Sequence, residues 1–113
     1  MVYVDRTLMA QVLVNILKNA QEALASVDGE RWVRNNSRLD ISERIVIDIS
    51  SNSGPIADEI VENIFTPFFS TKPDGSGIGL AFSRQVVRMH GGALYLSANT
   101  PAKVTFTMVL ELG

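Results

Sequence analysis

The stretch IFTPFFSTKPDGSGIGL, residues 64–80, combines a phenylalanine-rich turn, a lysine and three alternating glycines. Its glycines, Gly75, Gly77 and Gly79, lead into a segment whose apolar spacing predicts a helix from about Ile78 to His90. Unobstructed backbone N–H groups and the positive end of the helix dipole can then converge on phosphate oxygens. The spacing matches neither a Walker loop nor a complete dinucleotide fingerprint. The stretch therefore predicts either a phosphate-binding loop or a flexible loop that leads into a helix.

The segment before the glycines predicts a short lid. We expect at least two of Phe65, Phe68 and Phe69 to be packing anchors, because aromatic side chains are more often core than ligand contacts. Lys72 follows them, and only Pro73 and Asp74 separate it from the glycines. Its flexible ammonium can swing onto a terminal phosphate.

A second helix is predicted upstream, from about Arg6 to Ala25, with Asp5 as its N-cap. Apolar residues recur there at helical spacing and predict a core-facing stripe. These residues are Leu13, Ile16, Leu17, Ala20 and Leu24.

The opposite face of that helix carries Asn15, Asn19 and Glu22, each about one turn from the next. Amide and carboxylate oxygens suit Mg²⁺, which keeps several waters and shares its other positions with substrate phosphates. A solvated polar face is the alternative interpretation of the same pattern.

The remaining segments complete an α/β pattern. Alternation around residues 45–50 predicts a strand, residues 57–63 a short helix, and residues 93–98 with 103–112 a closing antiparallel pair. In the last strand, Val104, Phe106, Met108 and Leu110 alternate inward. Residues 26–43 stay open, since Trp32-Val33 fits either a short strand or a buried anchor. The order helix, strand, helix, strands predicts a two-layer α/β sandwich.

Composition narrows the function. The chain has 113 residues, the size of about one domain. Its net charge of −2 and the absence of Lys/Arg clusters argue against a nucleic-acid partner. It has no cysteine, so it has neither a disulfide framework nor a cysteine-ligated metal site. His90, the only histidine, is predicted to cap a helix end rather than to act in catalysis.

Four motifs in order resemble those of sensor histidine kinases. QVLVNILKNAQEAL (residues 11–24) resembles the N box and SNSGPI (51–56) the first glycine box. IFTPFFSTK (64–72) resembles the F box, and GSGIGLAFSRQVVRMHGG (75–92) the second glycine box. The chain is thus similar to the catalytic and ATP-binding domain of these kinases, within the wider group of gyrase, heat-shock chaperone and MutL ATPases. The fold implied is a sandwich of the Bergerat type, with a mixed sheet of about five strands covered on one face by three helices.

The resemblance implies a site for ATP and Mg²⁺. Asn19 would help to hold the metal ion against the phosphates, and Asn15 would line the same pocket. The second glycine box would face the phosphates with Gly75, Ser76, Gly77, Ile78, Gly79 and Leu80. Lys18 and Glu22 occupy variable positions, to which no fixed role carries over.

The first glycine box departs from the family pattern D-x-G-x-G, whose aspartate accepts a hydrogen bond from the adenine amino group. Counting back from Phe65 places Ser51 at the aspartate position, with Ser53 and Pro55 at the glycines. A register shifted by one places Asn52 at the aspartate and Gly54 at the first glycine. Neither register supplies a carboxylate, and loss of that charge-assisted bond is expected to weaken adenine binding by about 1 to 2 kcal/mol.

The resemblance implies a protein-histidine kinase domain in a two-component system, residues 1–113 forming a single domain of a longer protein. It would supply the γ-phosphoryl group to a histidine on a separate dimerisation domain, with a response regulator downstream. The altered first glycine box makes a pseudokinase or interaction module the alternative, and an ATP-driven switch of the gyrase or anti-sigma type is a third hypothesis. A cytoplasmic location is implied, whether or not the parent protein is anchored in a membrane.

Overall fold

A computed structural model describes residues 6–25, 27–66 and 79–111. The predictions for Asp5, Phe68, Phe69, Lys72 and the stretch 75–78 lie outside these residues. The elements in chain order are α1 (Arg6–Leu24), β1 (Val33–Leu39), β2 (Arg44–Ser51), α2 (Asp58–Val61), α3 (Gly79–Met89), β3 (Ala93–Asn99) and β4 (Val104–Glu111). The two long helices agree with the periodicity of the sequence to within about a residue at the ends that are described. None of the described helices is long and apolar enough to cross a membrane.

The described strands form one sheet in the order β1-β2-β4-β3. Every neighbouring pair is antiparallel. The two-layer α/β architecture with three helices is confirmed, but the prediction of a mixed sheet of about five strands differs from the four antiparallel strands described. The short turns that join β1 to β2 and β3 to β4 explain the antiparallel pairing, because a parallel pair needs a long crossover connection.

Of the segment 26–43, which the sequence left open, residues 27–43 form an irregular stretch, an edge strand and a turn. Trp32 is half-buried just before β1, and the guanidinium of Arg34 lies 5.1 Å from the centre of its ring. Every residue of β1 is exposed, so the period-two apolar signal that identifies a half-buried strand is missing there.

The core lies between the sheet and α1 with α3. The alternating residues predicted to point inward from β4 are all buried, as are four apolar residues of α1. The predicted stripe of α1 was partly wrong, because Leu17 is exposed. Phe82 and Met89, which share helical spacing with Val86 in α3, are exposed as well. Each lies at the edge of an apolar arc wider than the contact that the helix makes. The buried positions of α1 are Met9, Val12, Ile16 and Leu24, and those of α3 are Ser83, Val86 and Val87.

The other face of the sheet carries a polar network. Thr107 Oγ1 donates to Asp48 Oδ1 at 2.6 Å, and Arg38 forms an ion pair with the same carboxylate. Burial of Asp48 opposes its ionisation, but the Thr107 hydroxyl and the Arg38 guanidinium outweigh it, so the pKa of Asp48 lies below its usual value. Ser50 and Thr105 share a hydrogen bond of 2.8 Å next to this network.

The end of α3 fits tightly against β4. His90 Nδ1 lies 2.7 Å from the carbonyl oxygen of Val86, which satisfies a terminal carbonyl of the helix as predicted. A Cβ atom added at Gly92 would lie 2.1 Å from the Val109 carbonyl oxygen, so only glycine fits there. The chain therefore passes close to β4 directly after α3.

Candidate nucleotide-binding site

The first part of the candidate site is the junction between α1 and α3. Asn15 Nδ2 lies 3.4 Å from Ser83 Oγ and 3.5 Å from the Gly79 carbonyl oxygen. Gln11 donates to Asn15 Oδ1 at 3.0 Å, and Ser83 donates to the Gly79 carbonyl at 2.8 Å. Asn15 therefore joins the asparagine face of α1 to the first turn of α3. Sequence reasoning missed Ser83, a fully buried hydroxyl in the apolar arc of α3.

Asn19 lies one helical turn beyond Asn15 and is half-buried. Its amide oxygen is a hard ligand of the kind that Mg²⁺ accepts beside phosphate oxygens. No group of three His, Cys, Asp or Glu side chains within residues 6–25, 27–66 and 79–111 is placed to hold a metal ion.

The second part is the packing of the F box. The Phe65 ring meets the Phe106 ring edge to face, with 6.3 Å between centres. On α3, the Arg84 guanidinium lies 4.5 Å from the centre of the Phe65 ring. Phe65 is therefore one of the predicted anchors, and Leu80 packs against the same core. The sequence offered no signal for Arg84, because its partner comes from a separate segment.

The third part is the end of β2, where the adenine-reading residue is expected. Side chains alternate along a strand, so Ser51 lies on the same face of the sheet as the core residue Ile49. It is 4% exposed and pairs in register with Val104, which is equally buried. Its hydroxyl donates to Ser53 Oγ at 3.2 Å.

Asn52 is the alternative residue at the adenine-reading position. Both the oxygen and the nitrogen of its side-chain amide form hydrogen bonds with the backbone. Its Oδ1 accepts from the Trp32 N–H at 2.9 Å, and its Nδ2 donates to the Glu30 carbonyl at 2.8 Å. Gly54 follows with a φ of +86°, a conformation that favours glycine. The backbone contacts of the Asn52 amide favour Ser51 at the aspartate position, whereas the conformation of Gly54 fits the register that places Gly54 at the first glycine.

Asn99, at the end of β3, makes a matching contact that sequence reasoning missed. Its Oδ1 accepts from the Ile56 N–H at 2.7 Å, and its Nδ2 donates to the Ile56 carbonyl at 2.8 Å. The loop of residues 52–57 is thus held by one asparagine at each end. We call Asn52 and Asn99 the loop clamps.

The two-layer sandwich, with an asparagine-bearing helix fixed against the start of α3, defines a class of ATP-binding domains. The chain belongs to the histidine kinase-, DNA gyrase B- and HSP90-like ATPase family, whose model matches residues 4–113.

Relatives and solved structures agree with this family. The sensor protein FixL of Bradyrhizobium diazoefficiens is 34% identical over 110 residues, which are 97% of this chain and 22% of that protein. The signal transduction histidine-protein kinase AtoS of Escherichia coli is 34% identical over 96% of this chain and 17% of its own length. The solved catalytic domain of the histidine kinase ThkA is 31% identical, with a TM-score of 0.79 over 97% of this chain and 70% of that one. The mycobacterial sensor histidine kinase MprB is 27% identical, with a TM-score of 0.81 over 96% of this chain and 75% of that one.

The chain therefore spans about a fifth of the length of these curated relatives. Their catalytic, ATP-binding part is the part that it matches.

Proposed function

We propose that this chain is the ATP-binding catalytic domain of a sensor histidine kinase, and that it presents the γ-phosphoryl group to a histidine on a separate dimerisation domain. The observation that carries the proposal is the contact between Asn15 and the first turn of α3, at Gly79 and Ser83. It fixes the helix that would hold the metal ion relative to the helix that would face the phosphates. Family membership and the kinase relatives support the same function.

We expect Asn19 to hold Mg²⁺, with waters and nucleotide phosphates completing the coordination. The ion, when bound, neutralises charge on the phosphoryl oxygens. The backbone from Gly75 to Gly79, including Ser76 and Ile78, would face the phosphates with Leu80 behind it. Lys72 would reach the terminal phosphate. Phosphoryl transfer depends mainly on positioning and electrostatics, so the chain needs no nucleophile of its own.

The rest of the parent protein completes the reaction. We propose that residues 1–113 form one domain of a longer protein, whose dimerisation domain carries the phosphoacceptor histidine. A response regulator would take the phosphoryl group from that histidine. ATP as the phosphoryl donor suits a cytoplasmic location.

Isothermal titration calorimetry with Mg-ATP tests nucleotide binding. The chain should bind, and Asn19→Ala should weaken Mg²⁺-dependent binding at least about tenfold while the domain stays folded. Gln21→Ala, an exposed change on the same helix, is the matched control and should leave the affinity unchanged. Absence of binding at millimolar nucleotide would refute the proposal for this chain.

A second measurement separates a kinase from a pseudokinase. The domain, joined to the dimerisation domain of the parent protein, should autophosphorylate when it is supplied with radioactive ATP. Nucleotide binding without labelling would favour the pseudokinase.

A further inference from the structure

The part of the candidate site that is expected to contact the base comprises the end of β2 and residues 52–57. It is built differently from the part that is expected to contact the phosphates. Both loop clamps contact main-chain groups, and their partners are 20 to 43 residues away in sequence. Asn52 exchanges two hydrogen bonds with Glu30 and Trp32, so its amide is held in one orientation by the backbone. The loop is thus preorganised, and the hydroxyl groups next to it that can rotate toward a base are those of Ser51, at the end of β2, and Ser53.

The two serine hydroxyls form a short chain of hydrogen bonds. Ser51 is 4% exposed beside the buried Val104, and Ser53 is half-buried. Their oxygens are 3.2 Å apart. A hydroxyl rotates and can both donate and accept, so the direction of this chain can reverse. The burial of Ser51 increases the effect of any hydrogen bond that its hydroxyl makes to a ligand.

The two classes of purine differ at the position that such a reader meets. Adenine presents an amino donor at position 6, whereas guanine and hypoxanthine present a carbonyl acceptor there. A carboxylate only accepts, so it pairs with the amino group and repels the carbonyl. A site strongly rejects a ligand that leaves its polar group unpaired. A pair of hydroxyls whose hydrogen bonds can reverse direction can pair with either the amino group or the carbonyl group at position 6.

We propose, on the basis of the function proposed above, that Ser51 and Ser53 read the base, and that the site accepts 6-oxopurine nucleoside triphosphates almost as well as ATP. Ser51 then determines which bases the site accepts, and it makes the site less selective for adenine than a carboxylate would. The loop clamps hold it in place without contacting the base.

Titrations with ATP and inosine triphosphate test this proposal, because the two differ only at position 6 and the adjacent ring nitrogen. For the 113-residue chain the two dissociation constants should agree within about tenfold. Ser51→Asp should raise the preference for ATP by about tenfold or more, because its carboxylate pairs with the amino group and repels the carbonyl. Ser51→Ala should weaken both nucleotides similarly, by about threefold to tenfold.

The control is Ser50→Ala, which removes a hydroxyl from the other face of the same strand. It should leave the ratio of the two affinities unchanged. The comparison of ATP with inosine triphosphate in the unsubstituted chain still tests the proposal if Ser51→Asp fails to fold.

A preference for ATP of about a hundredfold or more in the unsubstituted chain would overturn the inference but keep the proposed function. An unchanged affinity for both nucleotides in Ser51→Ala would also overturn it. Binding of neither nucleotide would refute both proposals.

Discussion

Strand β2 is flanked by two loops that are held in different ways. At its start, the turn from β1 is organised by one local side chain: Asp40 Oδ1 accepts from the N–H groups of Ser42 and Arg44, each at 2.9 Å. Asp40 Oδ2 accepts from the Arg44 guanidinium at 2.8 Å. At its end, the loop of residues 52–57 is held by Asn52 and Asn99, whose partners lie far away in sequence.

The turn thus depends on local contacts, whereas the loop next to the proposed base-reading serines depends on contacts that are distant in sequence. A turn held within four residues can form early and depends little on the rest of the chain. A loop held by distant partners keeps its geometry only when the whole sheet has assembled. The base-reading side of the candidate site should therefore respond to the stability of the domain more than the turn does.

We expect Asn99→Ala to have the largest effect on the stability of the domain. The change removes both hydrogen bonds to Ile56 and leaves a half-buried N–H and carbonyl without their partners, at a cost of about 2 kcal/mol. That corresponds to a fall of roughly 10 °C in melting temperature, measured by circular dichroism.

Asn63→Ala is the matched control, because Asn63 donates one exposed, local bond to the Glu59 carbonyl. It should change the melting temperature far less than Asn99→Ala. Equal shifts for the two variants would mean that the long-range clamp contributes no more than a local bond.

The contrast between local and distant contacts also decides what the sequence could predict. The alternation of Val104, Phe106, Met108 and Leu110 identified β4, because apolar residues at period two predict a strand with one apolar face. The burial of Thr105 and Thr107 on the other face was not predictable from that alternation. Asn99 gave no signal, since its role depends on a partner 43 residues away.

The same limit applies to the helices. The extent of α1 was predictable, but the exposure of Leu17 was not, because the width of the contact with the sheet decides which apolar residues are covered. At the candidate site, the sequence left Ser51 and Asn52 as alternatives. The contacts of Asn52 with Trp32 and Glu30 favour Ser51 as the proposed reader, and the sequence could not show these contacts because they join separate segments.

We also expect the stability of the two loops to respond differently to pH, although this effect is smaller. The Arg44 N–H, with the Arg44 guanidinium and the Ser42 N–H, holds the pKa of Asp40 below its usual value of 3.8. A lowered pKa means that the stabilising contribution is fully present above pH 3.8 and is lost as the pH falls through the folded-state pKa. The loop clamps are amides and do not titrate in this range.

Hydrogen exchange should resolve this difference. Protection factors of the Ser42 and Arg44 amides should fall at acidic pH before those of the Trp32 and Ile56 amides. In Asp40→Asn, the early loss at Ser42 and Arg44 should disappear. A simultaneous loss at both loops in the unsubstituted chain would indicate global unfolding instead.

The smallest effect is expected at Glu43, which adopts a left-handed conformation with a φ of 61°. That conformation costs a residue with a side chain about 1 kcal/mol, whereas glycine adopts it freely. Glycine also gains entropy in the unfolded chain, which offsets part of the benefit. Glu43→Gly should therefore stabilise the domain by about 0.5 kcal/mol, or roughly 3 °C in melting temperature.

Ser42→Gly is the matched control in the same turn, since Ser42 lacks a positive φ and gains nothing from glycine. It should lower the melting temperature slightly. Destabilisation by both variants would show that the Glu43 side chain contributes more than its backbone conformation costs. A gain confined to Glu43→Gly would locate the strain of this turn at one residue, which is the outcome expected where a loop is organised locally.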